Sequence, residues 1–309
     1  MKVLLTGGTG FLGKNLQRYF QNDKHYDVVA LSSKMYDLRC GEACRRAIEY
    51  YAPNVIIHAA GSVGGILANQ QNPGKFMYDN LAMGMNMLEQ ARVYQALHTP
   101  LKFIMLGTVC AYPKYTPVPF QESELWNGYP EETNAPYGIA KKTLMKLGET
   151  YHQQYNMDVV NLVPVNMYGP HDHFNLTSAH VIPALILKFH EAIKNNHDVT
   201  VWGSGKASRE FLYAPDCAEA IKLAIESDVG PEPINIGTGK EIRILDLAEE
   251  IALQMNFNGS IIFDSRKPDG QPRRCLDTTL AEKLLGFKAK TDFQTGLKQT
   301  IQWFLGEQR

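Results

Sequence analysis

Three observations predict an α/β fold with a parallel sheet at its centre. The chain opens with a short apolar stretch that runs into a glycine-rich turn and then a helical pattern. Strand-like and helix-like segments alternate up to Pro164, the signature of a parallel sheet with helical crossovers. Beyond Pro164 the alternation gives way to a less regular mixture, which predicts a smaller second domain.

The opening stretch, Lys2-Val-Leu-Leu-Thr6, suits a buried strand, and Gly7-Gly-Thr-Gly10-Phe-Leu-Gly13 follows it at once. Leu16, Tyr19 and Phe20 then mark one face of a helix. A plain turn needs no such order. Strand, glycine turn and helix together let backbone N–H groups approach a pyrophosphate at the helix N-terminus. The sheet is therefore expected to be a doubly wound parallel sheet of the Rossmann type. Asp27-Val-Val-Ala-Leu31 is the second strand, and its end should meet the adenosine ribose of a dinucleotide. A carboxylate there would repel a 2′-phosphate, but the residues are Ser32, Ser33 and Lys34, which favours NADP over NAD.

A helix over 44–51 and the strand Asn54-Val-Ile-Ile-His58 come next. Ala59-Ala-Gly61 is small enough for backbone to lie against a cofactor, and Asn80 is expected to open a helix reaching Tyr94. The strand Leu101-Lys-Phe-Ile-Met-Leu106 delivers Gly107-Thr108-Val109-Cys110 at its carboxyl end, where open parallel sheets place their ligands. A long proline-rich loop over 112–133 has the length of a functional loop. It leads to Asn134-Ala-Pro-Tyr137-Gly-Ile-Ala-Lys141, the start of a helix with Tyr137 and Lys141 on one face. A phenol with an ammonium beside it donates a proton readily to a carbonyl oxygen, because the positive charge favours the phenolate left behind. The strand Val159-Val-Asn-Leu-Val163 ends the first domain, expected over 1–164.

In the second domain, expected over 165–309, the loop 171–178 leads into a helix from Val181 to His190. Val199-Thr-Val-Trp202 reads as a strand, followed by a helix over 217–227 and a short apolar segment over 234–237. A helix over 244–255, a strand at Ile261-Ile-Phe263 and a terminal helix complete a partly split substrate domain. Segments around 206–240 are expected to return to the first domain.

Composition narrows the class. Of 309 residues, 31 Lys and Arg nearly balance 32 Asp and Glu, so the chain lacks the net-basic signature of many nucleic-acid binders. With no stretch near 18 consecutive apolar residues, neither a membrane span nor a signal peptide is expected. The five cysteines, Cys40, Cys44, Cys110, Cys217 and Cys275, are odd in number and scattered. No second Cys/His pair matches Cys40 and Cys44, so no metal site is expected, and free thiols suit a cytoplasmic enzyme.

Gly7-x-x-Gly10-x-x-Gly13, Thr108 and Tyr137-x-x-x-Lys141 together resemble the extended short-chain dehydrogenase/reductase superfamily. Longer segments resemble one family within it. They include 58–69, Cys110-Ala-Tyr-Pro-Lys114, Tyr168-Gly-Pro-His-Asp-His-Phe174, Ser178-Ala-His180-Val-Ile-Pro183 and Phe189-His-Glu191. Val201-Trp-Gly-Ser-Gly205 and Arg209-Glu-Phe211 extend the likeness over essentially the whole chain. These segments are similar to the GDP-L-fucose synthases, homodimeric NADPH-dependent 3,5-epimerase/4-reductases of GDP-4-keto-6-deoxy-mannose.

The resemblance implies roles for residues of this chain. Thr108 takes the place of a usual serine at the sugar's C4 oxygen, Tyr137 donates the proton there, and Lys141 holds the nicotinamide ribose while lowering the tyrosine pKa. Cys110 and His180 match the acid/base pair of epimerisation. Cofactor contacts fall on Gly7, Thr9, Gly10, Phe11, Leu12 and Gly13 of the turn, and on Ser33, Lys34, Asp37 and Leu38 after the second strand. They continue at Ala59, Ala60 and Gly61, and at Pro164, Asn166 and His180. Substrate contacts fall on Val63, Gly64, Asn166, Lys188, Trp202 and Arg209, besides Thr108, Cys110 and Tyr137.

The departures are specific. Thr9 and Ser33 stand where a close relative has arginines, Lys188 replaces an arginine, and Leu280 stands where a basic residue is usual. Lysine gives up a fork-like phosphate contact for a point charge. Chemically, a hydrogen next to a ketone is acidic because its anion is an enolate, and inversion needs a base on one face and an acid on the other. A thiol and an imidazole both titrate near neutrality and suit that task. Taken alone, Cys110 reads as a small buried hydrophobe and His180 as a structural histidine; the family match pairs them. Two other readings stand beside this one. One is a C4 reductase of a related GDP-linked keto-hexose or keto-heptose. The other is a redox-sensing regulator that binds NADP without turnover, which the intact Thr108, Tyr137 and Lys141 set argues against.

Overall fold

The structure, a computed structural model, describes every residue from Met1 to Gln308 except Thr177 and Pro268, with Ile66 described in its backbone only. The first half alternates as β1 (Lys2–Thr6), α1 (Phe11–Phe20), β2 (Asp27–Ala30), α2 (Gly41–Tyr51) and β3 (Val55–His58). It continues through α3 (Ile66–Gln71), α4 (Pro73–Leu97), β4 (Lys102–Leu106), α5 (Ala135–Tyr155) and β5 (Asp158–Pro164). The second half holds β6 (Asn166–Tyr168), α6 (Val181–Asn195), β7 (Val199–Trp202), β8 (Ser208–Tyr213), α7 (Ala214–Glu226) and β9 (Ile234–Ile236). It ends with β10 (Glu241–Arg243), α8 (Ile244–Gln254), β11 (Ile261–Asp264), α9 (Thr279–Leu285) and α10 (Phe293–Glu307).

The apolar runs become the strands of one parallel sheet, in the order β2-β1-β3-β4-β5-β9. Val3 to Leu5, Ile56, Ile57, Phe103 to Met105 and Val159 to Val163 are fully buried, as in sheets covered on both faces. One cover is α1 packed on α7, and the other is the layer of α2, α4 and α5. The register sets Thr6 opposite His58, Met105 opposite His58 on the other side, Leu106 opposite Leu162 and Pro164 opposite Ile236. All carboxyl ends therefore lie on one edge. Gly7, Ala59, Gly107 and Val165 leave the sheet along that edge, which is where the candidate site gathers.

Two hydrophobic clusters lie behind this arrangement. The larger one holds the six-stranded sheet and its helices, and includes Cys217, Ile221 and Ile225 of α7, Ile234 and Ile236 of β9, and Leu285 of α9. The smaller one gathers Ile182, Ile186 and Phe189 of α6, Val199 and Val201 of β7, Ile251 of α8 and Phe304 of α10. Above it, β8 pairs antiparallel with β10 and parallel with β6, while β7 pairs with β11.

Several elements differ from expectation. The long helix opens at Pro73 rather than at Asn80, because a proline in the first turn forfeits no helical hydrogen bond. Asn80 lies inside it and donates to the carbonyls of Ser62 (2.8 Å) and Phe76 (2.6 Å), fixing the loop after β3. The short elements β6, β10, α3 and α9 carry too few residues for a readable period. β8 was hidden by its charged pair, Arg209 and Glu210.

Glu210 is completely buried, and its carboxylate ties together segments far apart in sequence. It accepts hydrogen bonds from the backbone N–H groups of Thr238, Gly239 (2.8 Å) and Leu276 (2.6 Å). A methyl at Gly237 would stand 2.2 Å from Glu210 Oε1, so the turn after β9 can close on the carboxylate only without a side chain there. Burial raises the Glu210 carboxyl pKa, and these N–H donors work against that shift by favouring the charged form. Glu210→Ala leaves three buried N–H groups without an acceptor and should cost about 3–5 kcal/mol in urea unfolding, with Glu210→Gln intermediate. A loss below about 1 kcal/mol in the alanine variant would contradict this role for the carboxylate.

Candidate active site

The site is built outward from the end of β4. Thr108 follows the strand, and its Oγ1 accepts the Cys110 N–H at 3.2 Å, capping a single 3-10 turn over Val109–Ala111. The first turn of α5 lies directly on this segment. A methyl at Gly138 would stand 2.3 Å from the Cys110 carbonyl oxygen, so only glycine after Tyr137 permits the contact. Tyr137 is consequently buried beside Thr108 and Cys110. Its phenol pKa is held well above the ordinary value by burial first and by the nearby Cys110 second, and the Thr108 hydroxyl bond opposes both.

Lys141 lies one turn further along α5. A methyl at Gly61 would stand 3.2 Å from Asn80 Oδ1 and 3.8 Å from Lys141 Nζ, which places the ammonium under the loop after β3. Burial pushes the Lys141 pKa down to about 8. Both side chains project from the first turns of α5, Tyr137 beside Thr108 and Lys141 beside the loop after β3. The ammonium acts on the fully buried His58, whose pKa is held near about 3 by burial and then by Lys141. His58 Nδ1 lies 3.1 Å from Thr6 Oγ1, and its Nε2 has no hydrogen-bond partner among the described residues.

The second half of the chain supplies the opposite wall. The Cys110 sulfur accepts from Arg274 Nη1 at 3.5 Å. Arg209 donates to the carbonyls of Ser208 (2.7 Å) and Asp269 (3.2 Å), and its pKa is pushed down to about 10 by burial and then by Arg274. His180 is the solvent-exposed residue that precedes α6. Desolvation by the surrounding protein first, and the Arg274 guanidinium second, lower its pKa. The loop at Val63 and Gly64 reaches the same wall, with the Gly65 N–H donating to the Ser178 carbonyl at 2.9 Å. Asn166 donates from Nδ2 to the Glu210 carbonyl at 3.1 Å, on the neighbouring strand.

Lys188 and Trp202 make their own group. Lys188 donates to the Thr200 carbonyl at 2.8 Å and lies 5.5 Å from the centre of the Trp202 ring, and Lys267 approaches the same ring at 5.2 Å. Trp202 is 51% exposed because it points outward from the short β7. Leu280 packs against the larger hydrophobic cluster, so an apolar residue there has a structural role.

Along the carboxyl edge, the features of a dinucleotide site are present. Gly7 has φ of +68°, and a methyl at Gly13 would stand 2.2 Å from the Gly7 carbonyl oxygen, so turn and helix meet with no room for side chains. Thr9, Gly10 and Phe11 line a cleft of about 570 Å³ with Lys14 and residues 171–173. That cleft belongs to the glycine turn rather than to the Cys110 wall. Leu12 is buried in α1, Leu38 is buried before α2, and Ala60 is buried behind the loop after β3. Ser33 and Lys34 are exposed after β2, while Asp37 accepts from Arg39, which holds its carboxyl down to about 2. Pro164 ends β5 on the same edge. Lys141, a buried ammonium with no hydrogen-bond partner among the described residues, fits a ribose hydroxyl as acceptor.

Sequence reading missed Arg274, Gln271, Lys267 and Arg39. The first three lie in a polar, proline-containing stretch that resembles a connecting loop. Arg39 adjoins the expected Asp37 and Leu38 but was not singled out.

Comparisons with known proteins agree with this geometry. Residues 3–237 match the NAD dependent epimerase/dehydratase family. A GDP-L-fucose synthase of Sinorhizobium fredii (strain NBRC 101917 / NGR234) is 38% identical over 307 residues, covering 98% of this chain and 95% of that protein. A GDP-L-colitose synthase of Yersinia pseudotuberculosis is 37% identical over 310 residues, covering 99% of each. The crystal structure of a GDP-L-fucose synthetase from Naegleria fowleri bound to NADP superposes with a TM-score of 0.89 at 31% identity, covering 99% of this chain and 94% of that one. The chain belongs to the NAD dependent epimerase/dehydratase family, in the branch of the GDP-L-fucose synthases.

Proposed function

We propose that this protein is an NADP-dependent epimerase/reductase that converts GDP-4-keto-6-deoxy-D-mannose to GDP-L-fucose in one site. The observation that carries the reading is the meeting of two proton-handling sets on one wall: Thr108 with Tyr137, and Cys110 with Arg274 and His180 around it. NADPH, when bound, supplies the hydride that reduces C4. Gly7 to Gly13, Ser33, Lys34, Asp37, Leu38, Ala59 to Gly61, Pro164 and Asn166 hold it, and Lys141 holds its ribose.

The residues then divide the work. Cys110 and His180 remove and return protons at C3 and C5 from opposite faces. Thr108 and the protonated Tyr137 donate hydrogen bonds to the C4 oxygen, which is negative in each enolate and negative again during reduction, so one pair of donors serves three steps. A phenol kept neutral by burial is a donor by default, and it yields its proton only when a stronger base forms beside it. Arg209 and Lys188 hold the diphosphate, and the exposed Trp202 face takes the guanine, with Val63 and Gly64 beside the sugar. The substrate lies between the 1–164 part, with its returning segments, and the 165–309 part. Exposed Tyr78 and Met85, seven residues apart on α4, support a homodimer, and five free thiols support a cytoplasmic enzyme.

A second reading, C4 reduction of a related GDP-linked keto sugar, is favoured by Lys188 in the arginine position. Incubation with NADPH and GDP-4-keto-6-deoxy-D-mannose, followed by NMR of the product, decides between them. GDP-L-fucose supports the proposal; a product with unchanged C3 and C5 supports the simple reductase. Tyr137→Phe keeps the ring and removes the C4 proton donor, so turnover should fall roughly 10²–10⁴-fold with NADPH affinity little changed. Near-normal turnover in that variant would place the donor elsewhere.

A further inference from the structure

The loop after β2 holds charges of both signs where the adenosine ribose of a dinucleotide would lie. Ser32 and Ser33 are neutral, Lys34 is an exposed cation, and Asp37 is an exposed carboxylate. The Ser32 carbonyl accepts the N–H groups of Met35 and Tyr36, both at 3.0 Å, which turns the chain back on itself. The buried Leu38 fixes the next stretch, its carbonyl accepting from Cys44 Sγ at 3.3 Å and from Asn86 Nδ2 at 3.2 Å. Asp37 is thereby held in an ordered loop beyond the end of β2.

A carboxylate in this loop suits the ribose hydroxyls of NAD and repels the 2′-phosphate of NADP. Arg39 removes that conflict. Its Nε donates to Asp37 Oδ1 at 2.9 Å, its Nη2 to Oδ2 at 2.8 Å, and its backbone N–H to Oδ1 at 3.1 Å, so both oxygens are engaged and the charge is matched. The guanidinium is itself anchored. Its Nη1 donates at 3.3 Å to Asp79 Oδ1, a buried carboxylate of α4 that also accepts from Ser62 Oγ at 3.2 Å and from Lys75. Asp37 and Asp79 are thus balanced by Arg39 and Lys75, while Lys34 has no ion pair among the described residues. An exposed ion pair alone contributes little, but the two-pronged contact and the buried anchor give this one a single geometry. We propose that Arg39 is a specificity-determining residue for the cofactor: by clamping Asp37 it masks the carboxylate that would otherwise select NAD, and leaves Lys34 to attract the 2′-phosphate.

The proposal rests on the cofactor site assigned above and not on the chemistry at Tyr137 and Cys110. Calorimetric titration of NADPH and of NADH into the full-length protein, without sugar substrate, gives the ratio of their affinities. The wild type should prefer NADPH. Arg39→Ala should lower that preference by about fivefold or more, through weaker NADPH binding, since a freed carboxylate then faces the phosphate. Asp79 keeps Lys75 and Ser62 as partners in this variant, so the fold is retained. Arg39→Lys, a point charge without the fork, should fall between wild type and Arg39→Ala. Adding Asp37→Asn to Arg39→Ala should restore most of the preference, because no carboxylate is left to mask. An arginine that merely braced the loop would weaken both dinucleotides alike when removed. An unchanged ratio in Arg39→Ala therefore overturns the proposal, as does a wild type that favours NADH or a lowered ratio that Asp37→Asn fails to restore. Wild-type protein that binds neither dinucleotide would contradict the cofactor site itself, whereas failure of epimerisation or reduction would leave the ratio and its meaning intact.

Discussion

The first turn of α5 rests on the Cys110 carbonyl, and the arrangement of the site follows from that contact. It requires a glycine at 138 and a strand, β4, that ends in a tight 3-10 turn. With both in place, Tyr137 is buried against Thr108, and the sulfur of Cys110 is left facing the opposite wall. The same seating carries Lys141 under the loop after β3, a loop that Asn80 and Asp79 hold from α4 through Ser62. Thus one close approach of a helix to a strand end brings the Tyr137 phenol, the Cys110 sulfur and the Lys141 ammonium to their places.

Positive charge is the other constraint. Lys141, Arg209 and Arg274 are largely or wholly enclosed, and burial drives the pKa values of the first two downward. Groups of one sign held together in a low-dielectric site weaken the protein until anionic partners arrive. A diphosphate and an enolate oxygen are such partners. The buried carboxylate of Glu210 does not neutralise these cations, since its oxygens are occupied by backbone N–H groups. It holds β8 and the 274–276 segment in position, and with them the two arginines.

Much of this was legible in the sequence, for physical reasons. The sheet could be read because parallel strands are continuous apolar runs, and the glycine turn because its order of elements has few other uses. Tyr137 and Lys141 could be placed on one face by helical spacing, but spacing does not say where the heads point, and only the fold puts the Lys141 ammonium beside Gly61. Arg274 was unreadable for a different reason. It lies 164 residues from Cys110, in a segment without periodicity, and only the pairing of that segment with β8 brings the two together. Trp202 is open to solvent because a short strand at the edge of a small sheet exposes alternate side chains whatever their hydrophobicity.

The central claim is that one wall performs both epimerisation and reduction, and solvent hydrogen at carbon reads it most directly. In deuterated water, with NADPH and GDP-4-keto-6-deoxy-D-mannose, the wild-type protein should release a sugar carrying deuterium at C3 and C5. Cys110→Ser, with Thr108, Tyr137 and Lys141 untouched, should lose that label at one or both carbons while still binding NADPH. Robust reduction by the wild type with no carbon-bound deuterium would contradict the account and leave a C4 reductase in its place.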